Sequence, residues 1–262
     1  MKDILEEIIA HKRIETARLR EIASIDDLCV LCRERGPGIS MKASLEASPV
    51  GIIAEFKRRS PSKGWIKREA DASVIPAAYE RAGASALSIL TDECFFGGSL
   101  NDIRTARPLV GLPILRKDFI IDEYQLYRAK AAGADAVLLI AACLTVGECR
   151  VLAAEARNLG LETLLEIHSE RELDYIGEHI DMVGVNNRNL GTFHTDVENS
   201  FRLAERLPKD LLKVSESGIS RPSVIKALRE VGYRGFLIGE TFMKAEHPWE
   251  TLKTFTEEYG AI

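Results

Sequence analysis

Ionisable side chains in this chain cluster where short apolar runs end. Glu55 and Lys57 close IIAEFK, and Arg116, Lys117 and Asp118 close LPILRKD. Glu166 sits inside TLLEIHSE, Asn186, Asn187 and Arg188 finish MVGVNNR, and Glu216 and Ser217 end LKVSES. Such groups cost several kcal/mol to bury without partners, so the pattern predicts one shared polar cavity. Ammonium groups that donate protons and carboxylates that accept them are the equipment of general acid–base catalysis. Each position also has a plainer reading. Glu55 and Lys57 lie on one side of a strand and could form a structural ion pair; Lys117 could be a surface lysine. Glu216 could serve structural hydrogen bonding.

A second cluster suits an anion. Ser217-Gly218 follows one apolar run and Gly239 another, and glycine lets backbone N–H groups approach a phosphate. The segment Lys57-Arg58-Arg59-Ser60-Pro61-Ser62-Lys63 adds four cations and two serines. Together they point to a phosphorylated small molecule. His168, His179, His194 and His247 share no spacing, so no metal site is expected and these histidines are placed at the surface or behind the site.

Positioning these groups requires a frame. Eight short apolar runs recur: 52–56, 86–90, 112–116, 136–140, 163–167, 182–186, 212–217 and 236–239. Each is too short for a helix and nearly continuous, as expected of parallel strands buried on both faces. Amphipathic stretches at 72–82, 100–107, 122–132, 146–158, 170–178, 197–206 and 221–230 read as the helices between them, and 249–259 as the last. Ser99, Asp122, Thr145, Ser169 and Ser220 are N-cap candidates; Gly83, Gly133 and Gly160 are candidate helix ends. RAGASALSIL and KAAGADAVLLI repeat the helix–turn–strand junction. The pattern predicts an α/β fold, a (β/α)8 TIM barrel, with residues 1–48 as a helical extension of two helices broken at Arg35-Gly36-Pro37-Gly38, and the whole of 1–262 as a single barrel domain. The competing open doubly wound sheet lacks Gly-x-Gly-x-x-Gly after its first strand. In a barrel of this kind, reacting groups come from the C-terminal strand ends, where the ionisable residues lie.

Composition narrows the function. The chain has 262 residues, with 35 Lys plus Arg against 40 Asp plus Glu, a net charge of −5. That balance opposes non-specific nucleic-acid binding. The longest apolar run is far below the roughly 20 residues a membrane span needs. MKDILEEIIAHKR offers no signal-peptide core, so a cytoplasmic protein is expected. Five cysteines, an odd number, favour reduced thiols. Cys29 and Cys32 form one C-x-x-C without a zinc-spaced partner, read as half-buried helix residues.

These same residues carry a resemblance. IIAEFKRRSPSKGWI (52–66), LSILTDECFFGGSL (87–100), PILRKDFIIDEYQ (113–125), LLEIHSE (164–170), GVNNRNLGTF (184–193), SESGI (215–219) and LIGETFM (237–243) resemble, in order, the indole-3-glycerol-phosphate synthase family of tryptophan biosynthesis. The resemblance implies a β/α barrel without metal or organic cofactor. It implies conversion of 1-(2-carboxyphenylamino)-1-deoxyribulose 5-phosphate to indole-3-glycerol phosphate, CO2 and water. By resemblance Lys117 is the general acid of ring closure, Glu166 the base of dehydration, Lys57 its partner acid, and Glu55 the group orienting both lysines. Asn186 and Arg188 match positions holding the substrate's hydroxyls and carboxylate-bearing ring, and Glu216 also faces the site. Ser60, Ser217, Gly218, Gly239 and the backbone of Glu240 match phosphate contacts, with the Glu240 side chain expected to point away. A lysine acid works best with its pKa moved toward neutrality, and Arg116 or Lys57 is expected to do this. Family members occur alone or fused to neighbouring pathway enzymes; this chain leaves no room for a fused enzyme, and association with such enzymes is an expected partnership. The weighed alternatives are the isomerase that makes this substrate and a catalytically silent sugar-phosphate-binding barrel.

Overall fold

The computed structural model describes residues 4–189 and 191–261. Residues 1–3, Leu190 (inside the GVNNRNLGTF match) and Ile262 lie outside the described residues. Eight parallel strands close a barrel: β1 (Ile52–Phe56), β2 (Ala86–Leu90), β3 (Ile114–Lys117), β4 (Ala136–Ile140), β5 (Glu162–Ile167), β6 (Met182–Asn186), β7 (Leu212–Glu216) and β8 (Tyr233–Ile238). Each pairs with its sequence neighbours, and β8 returns to β1 through Ile53 opposite Leu237. Strand alternation divides the core in two. Ile53, Leu115, Leu138, Leu164, Val214 and Leu237 fill the barrel interior. Ile52, Ala54, Leu87, Val137, Leu165 and Val183 face outward under the helices.

All eight expected strands form, with bounds shifted by one to three residues in four of them. β3 runs through Lys117, and β8 starts at Tyr233, three residues earlier than expected. Tyr-Arg-Gly interrupts the apolar run there, and the ladder is irregular between Tyr233 and Gly235. The outer helices are α4 (Ile75–Arg81), α5 (Leu100–Ala106), α6 (Glu123–Ala132), α7 (Val146–Asn158), α8 (Glu198–Ala204), α9 (Pro222–Glu230), α10 (Glu240–Met243) and α11 (Pro248–Ala261). Ser99, Asp122 and Thr145 cap α5, α6 and α7, and Gly133 ends α6 at φ 96°, a conformation that costs other residues a clash. Ser220 does not cap α9; Arg221 holds that position, and Pro222 starts the helix. The stretch expected as a helix at 170–178 is a 3-10 helix, Glu170–Tyr175, fastened by a Ser169–Glu172 capping box.

Three helices, not two, precede the barrel: α1 (Ile4–Ile22), α2 (Ile25–Glu34) and α3 (Met41–Ala47). The third escapes sequence patterning because seven residues carry only Met41 and Leu45 as apolar anchors. Both are fully buried in the barrel-interior cluster. The Glu162 carboxylate accepts the N–H groups of Met41 (2.7 Å) and Lys42 (2.9 Å), satisfying donors the helix start leaves open. Cys29 and Cys32 lie on the second helix, and Cys32 Sγ donates to Tyr127 O.

Candidate active site

The C-terminal strand ends surround a cavity of about 590 Å³, within the usual range for a small-ligand site. Alternation aims Glu55, Lys57, Lys117, Glu166, Asn186 and Glu216 into it from β1, β3, β5, β6 and β7. Lys117 Nζ donates to Glu166 Oε2 at 2.9 Å and lies 3.4 Å from Glu216 Oε2. Lys57 Nζ is paired with Glu55. The two alternatives for Glu55 and Lys57 therefore coincide: they form an ion pair, and it stands in the cup.

The electrostatics correct one expectation. Burial opposes the Lys117 charge, but Glu166, Glu216 and Glu55 outweigh it and raise the lysine's pKa. It is not drawn toward neutrality by neighbouring cations. Arg116 points outward, where its guanidinium donates to Thr91 Oγ1 (3.0 Å), Gln125 O (2.6 Å) and Asp118 (2.7 Å). Asn187 also leaves the cup and ties Ser215 to Ser200 on the outer face. The expected single cavity thus collects only the inward half of the strand-end polar groups. The two acids beside Lys117 diverge. Burial raises Glu166, yet Lys117 and His168 overcome it and hold its carboxyl below the usual range. Burial, reinforced by Glu166 and Glu55, lifts Glu216 to about 8 despite Lys117. The pair is thus split, Glu166 toward its charged form and Glu216 toward its protonated form.

Ser60, Ser217, Gly218, Gly239 and Glu240, the expected phosphate contacts, all line the cavity. Ser217 (φ 68°) and Gly218 (φ 79°) are consecutive left-handed residues; the serine is strained there and held by Asn187 Nδ2 donating to its carbonyl at 3.0 Å. Gly239 has a steric reason beyond loop flexibility: a Cβ there would collide with the Glu55 carboxylate. The Glu240 carboxylate is tied to two cations. It accepts from Arg188 (3.1 Å) and Lys244 (2.5 Å) at the rim. Arg188 also donates to Ser62 Oγ (2.8 Å), which ties the 57–63 loop to the end of β6. Of the four cations in the 57–63 loop, Lys57 and Lys63 line the cavity. Arg58 forms a bidentate pair with Asp102, and Arg59 stacks over Trp65.

Several lining residues were missed by reading the sequence. Ile4, Leu5 and Ile8 of the first helix join Leu90, Phe96, Phe119, Leu138 and Ile140 as an apolar wall. His168, expected at the surface or behind the site, does stand behind Glu166, with Nε2 3.4 Å from its Oε1. Lys244 lies one helical turn beyond Glu240, a spacing that could have found it. Among the described residues, no group of three or more His, Cys, Asp or Glu is arranged to hold a metal ion.

The closed barrel with its polar cup at the strand C-termini places the chain among (β/α)8-barrel enzymes. Its backbone matches tryptophan synthase subunit alpha from Legionella pneumophila with TM-score 0.62 at 16% identity, covering 85% of this chain and 98% of that one. The indole-3-glycerol phosphate synthase family model matches residues 5–255, and the chain belongs to that family. An indole-3-glycerol phosphate synthase of Bacteroides thetaiotaomicron is 66% identical over 97% of this chain and 98% of its own. One from Polaromonas sp. is 42% identical over 95% and 96%.

Proposed function

We propose that this cup carries out the family's reaction with Lys117 as acid and Glu166 as base. The family activity, in tryptophan biosynthesis, is a carboxy-lyase reaction on 1-(2-carboxyphenylamino)-1-deoxyribulose 5-phosphate. The ring carbon bearing the carboxylate attacks the ribulose carbonyl carbon. As the new carbon–carbon bond forms, the carbonyl oxygen takes a proton from Lys117 Nζ. The carboxylate then leaves as CO2, returning its electron pair to the ring. Glu166 removes a proton while the hydroxyl departs as water with a proton from Lys57, yielding indole-3-glycerol phosphate. Glu55 holds Lys57 in place for this step. Neutral Glu216 donates a hydrogen bond, and Asn186 offers an amide to the substrate hydroxyls. The wall of Leu5, Ile8, Phe96 and Phe119 suits the aryl ring. Ser60, Ser217, Gly218, Gly239, the Glu240 backbone and Arg188 suit the phosphate at the other end.

The observation that carries this reading is the Lys117–Glu166 contact at 2.9 Å, donor and acceptor in one buried cup lined also by apolar side chains and by the expected phosphate contacts. No helix among the described residues is long and apolar enough to cross a membrane. A cytoplasmic enzyme, acting as one barrel domain without cofactor and open to association with neighbouring pathway enzymes, is the working picture. The direct test is product formation. The purified chain given the carboxyphenylamino substrate should develop indole fluorescence, and Glu166→Gln should abolish most of it. Absence of product from the parent chain would refute the assignment.

A further inference from the structure

Lys12 is the unusual residue outside the cup. It lies on the first helix, Ile4–Ile22, whose buried face is Leu5, Ile8, Lys12 and Thr16. Those spacings of three and four mark the side packed on the barrel, and a lysine there is out of place by type. Lys12 is 1% exposed, and its ammonium meets three carboxylates: Glu15 at 2.8 Å, Asp92 at 2.9 Å and Asp118 at 3.0 Å. Both aspartates are themselves buried and follow β2 and β3.

Each aspartate organises a piece of the cup. Asp118 directly follows Lys117; its Oδ1 accepts the Phe119 N–H (2.8 Å) and its Oδ2 takes Arg116 (2.7 Å) and Thr91 (2.6 Å). Asp92 Oδ1 accepts the N–H groups of Phe95 (2.7 Å) and Phe96 (3.1 Å). Phe96 and Phe119 are wall residues. Without Lys12, Asp118 would still pair with Arg116, but buried Asp92 would lose its ammonium partner, and an uncompensated buried charge forces rearrangement.

We propose that Lys12 is a positioning residue for the reaction: by clamping Asp118, together with Asp92, it fixes the backbone from which Lys117 reaches Glu166. The inference rests on Lys117 being the acid, and it makes the first helix part of the chemical apparatus as well as of the cup wall. A residue that only stabilises the fold would change melting temperature and leave turnover alone once the protein is folded. A residue that only seats the apolar wall would raise KM.

The test is Lys12→Met, assayed for product with saturating substrate well below its melting temperature, with folding checked by near-ultraviolet circular dichroism. Turnover should fall by about tenfold or more while KM stays within about threefold. If that variant does not fold, Lys12→Met/Asp92→Asn, which removes one buried charge of each sign, is read in the same way. Lys12→Met placed in a Lys117→Met background should cost little further, because both act through one group. Folded protein with turnover near the parent's, a change confined to KM, or losses that add in the double variant would each overturn the proposal. Lys117→Met retaining parent-like turnover would instead be a failure of the proposed acid chemistry, measured without touching Lys12.

Discussion

Replacing Lys117 by methionine keeps the side-chain stem and removes only the ammonium. A general acid contributes about 10²- to 10⁴-fold, or about 3–5 kcal/mol of barrier. The structure places the expected loss near the upper end. Lys117 is the nearest cation to Glu166, at 2.9 Å, and it keeps that carboxyl ionised against burial. Without it the Glu166 pKa rises, so the variant loses its acid and part of its base together. For the same reason Glu166→Gln should cost less than about tenfold when added to Lys117→Met. The phosphate contacts and the aryl wall are untouched, so KM should stay within about threefold of the parent's. Indole fluorescence under saturating substrate measures the rate, and initial rates over a substrate series give KM. Turnover within tenfold of the parent's would refute Lys117 as the acid, and fully additive losses with Glu166→Gln would refute their coupling.

Glu216 gives a pH signature. Its folded pKa, about 8, stands above the ordinary 4.5, so the folded state binds the extra proton between these values. Its contribution to stability is complete below about pH 4.5 and is lost as pH rises through about 8. Denaturant titrations of Glu216→Gln should show a stability decline across that window shallower than the parent's; parallel curves would contradict a protonated Glu216. Gly239→Ala should cost about 1–3 kcal/mol and lower turnover, because the added methyl displaces Glu55 from Lys57. Unchanged melting and unchanged rate would show that the space is not needed. A substrate analogue lacking phosphate should lose at least about tenfold in kcat/KM, since remote binding energy supports the reacting end; equal values would remove the anion pocket from the reading.

The legible part of this molecule is the part governed by a period of two. An acid flanked by Leu165 and Ile167 has few bland explanations once the neighbouring runs are strands, whereas Glu216 at a strand end kept structural hydrogen bonding as a close rival. Parity along each strand carried more information than was drawn from it. It separates Lys117 from Arg116 and Asn186 from Asn187, and it brings His168 to the side of Glu166. Contacts made by the first fifty residues were not legible, because they depend on where helices dock against a barrel formed much later in the chain. Lys12, Leu5 and Ile8 belong to that group, as do Met41 and Leu45. The pKa of Lys117 likewise depends on the carboxylates facing it across the barrel, which are 49 and 99 residues away in sequence.

Those first fifty residues reach both openings of the barrel. Leu5 and Ile8 lie at the mouth, while Met41 and Leu45 plug the opposite end beneath β8. A growing chain exposes these stoppers long before the hole exists, since the β1–β8 seam cannot zip until residue 238 has emerged. The full seat of this segment therefore exists only once the ring is closed. One stretch of chain thereby corks a ring it does not belong to at both openings, and the chamber between them owes part of its wall to residues outside the ring.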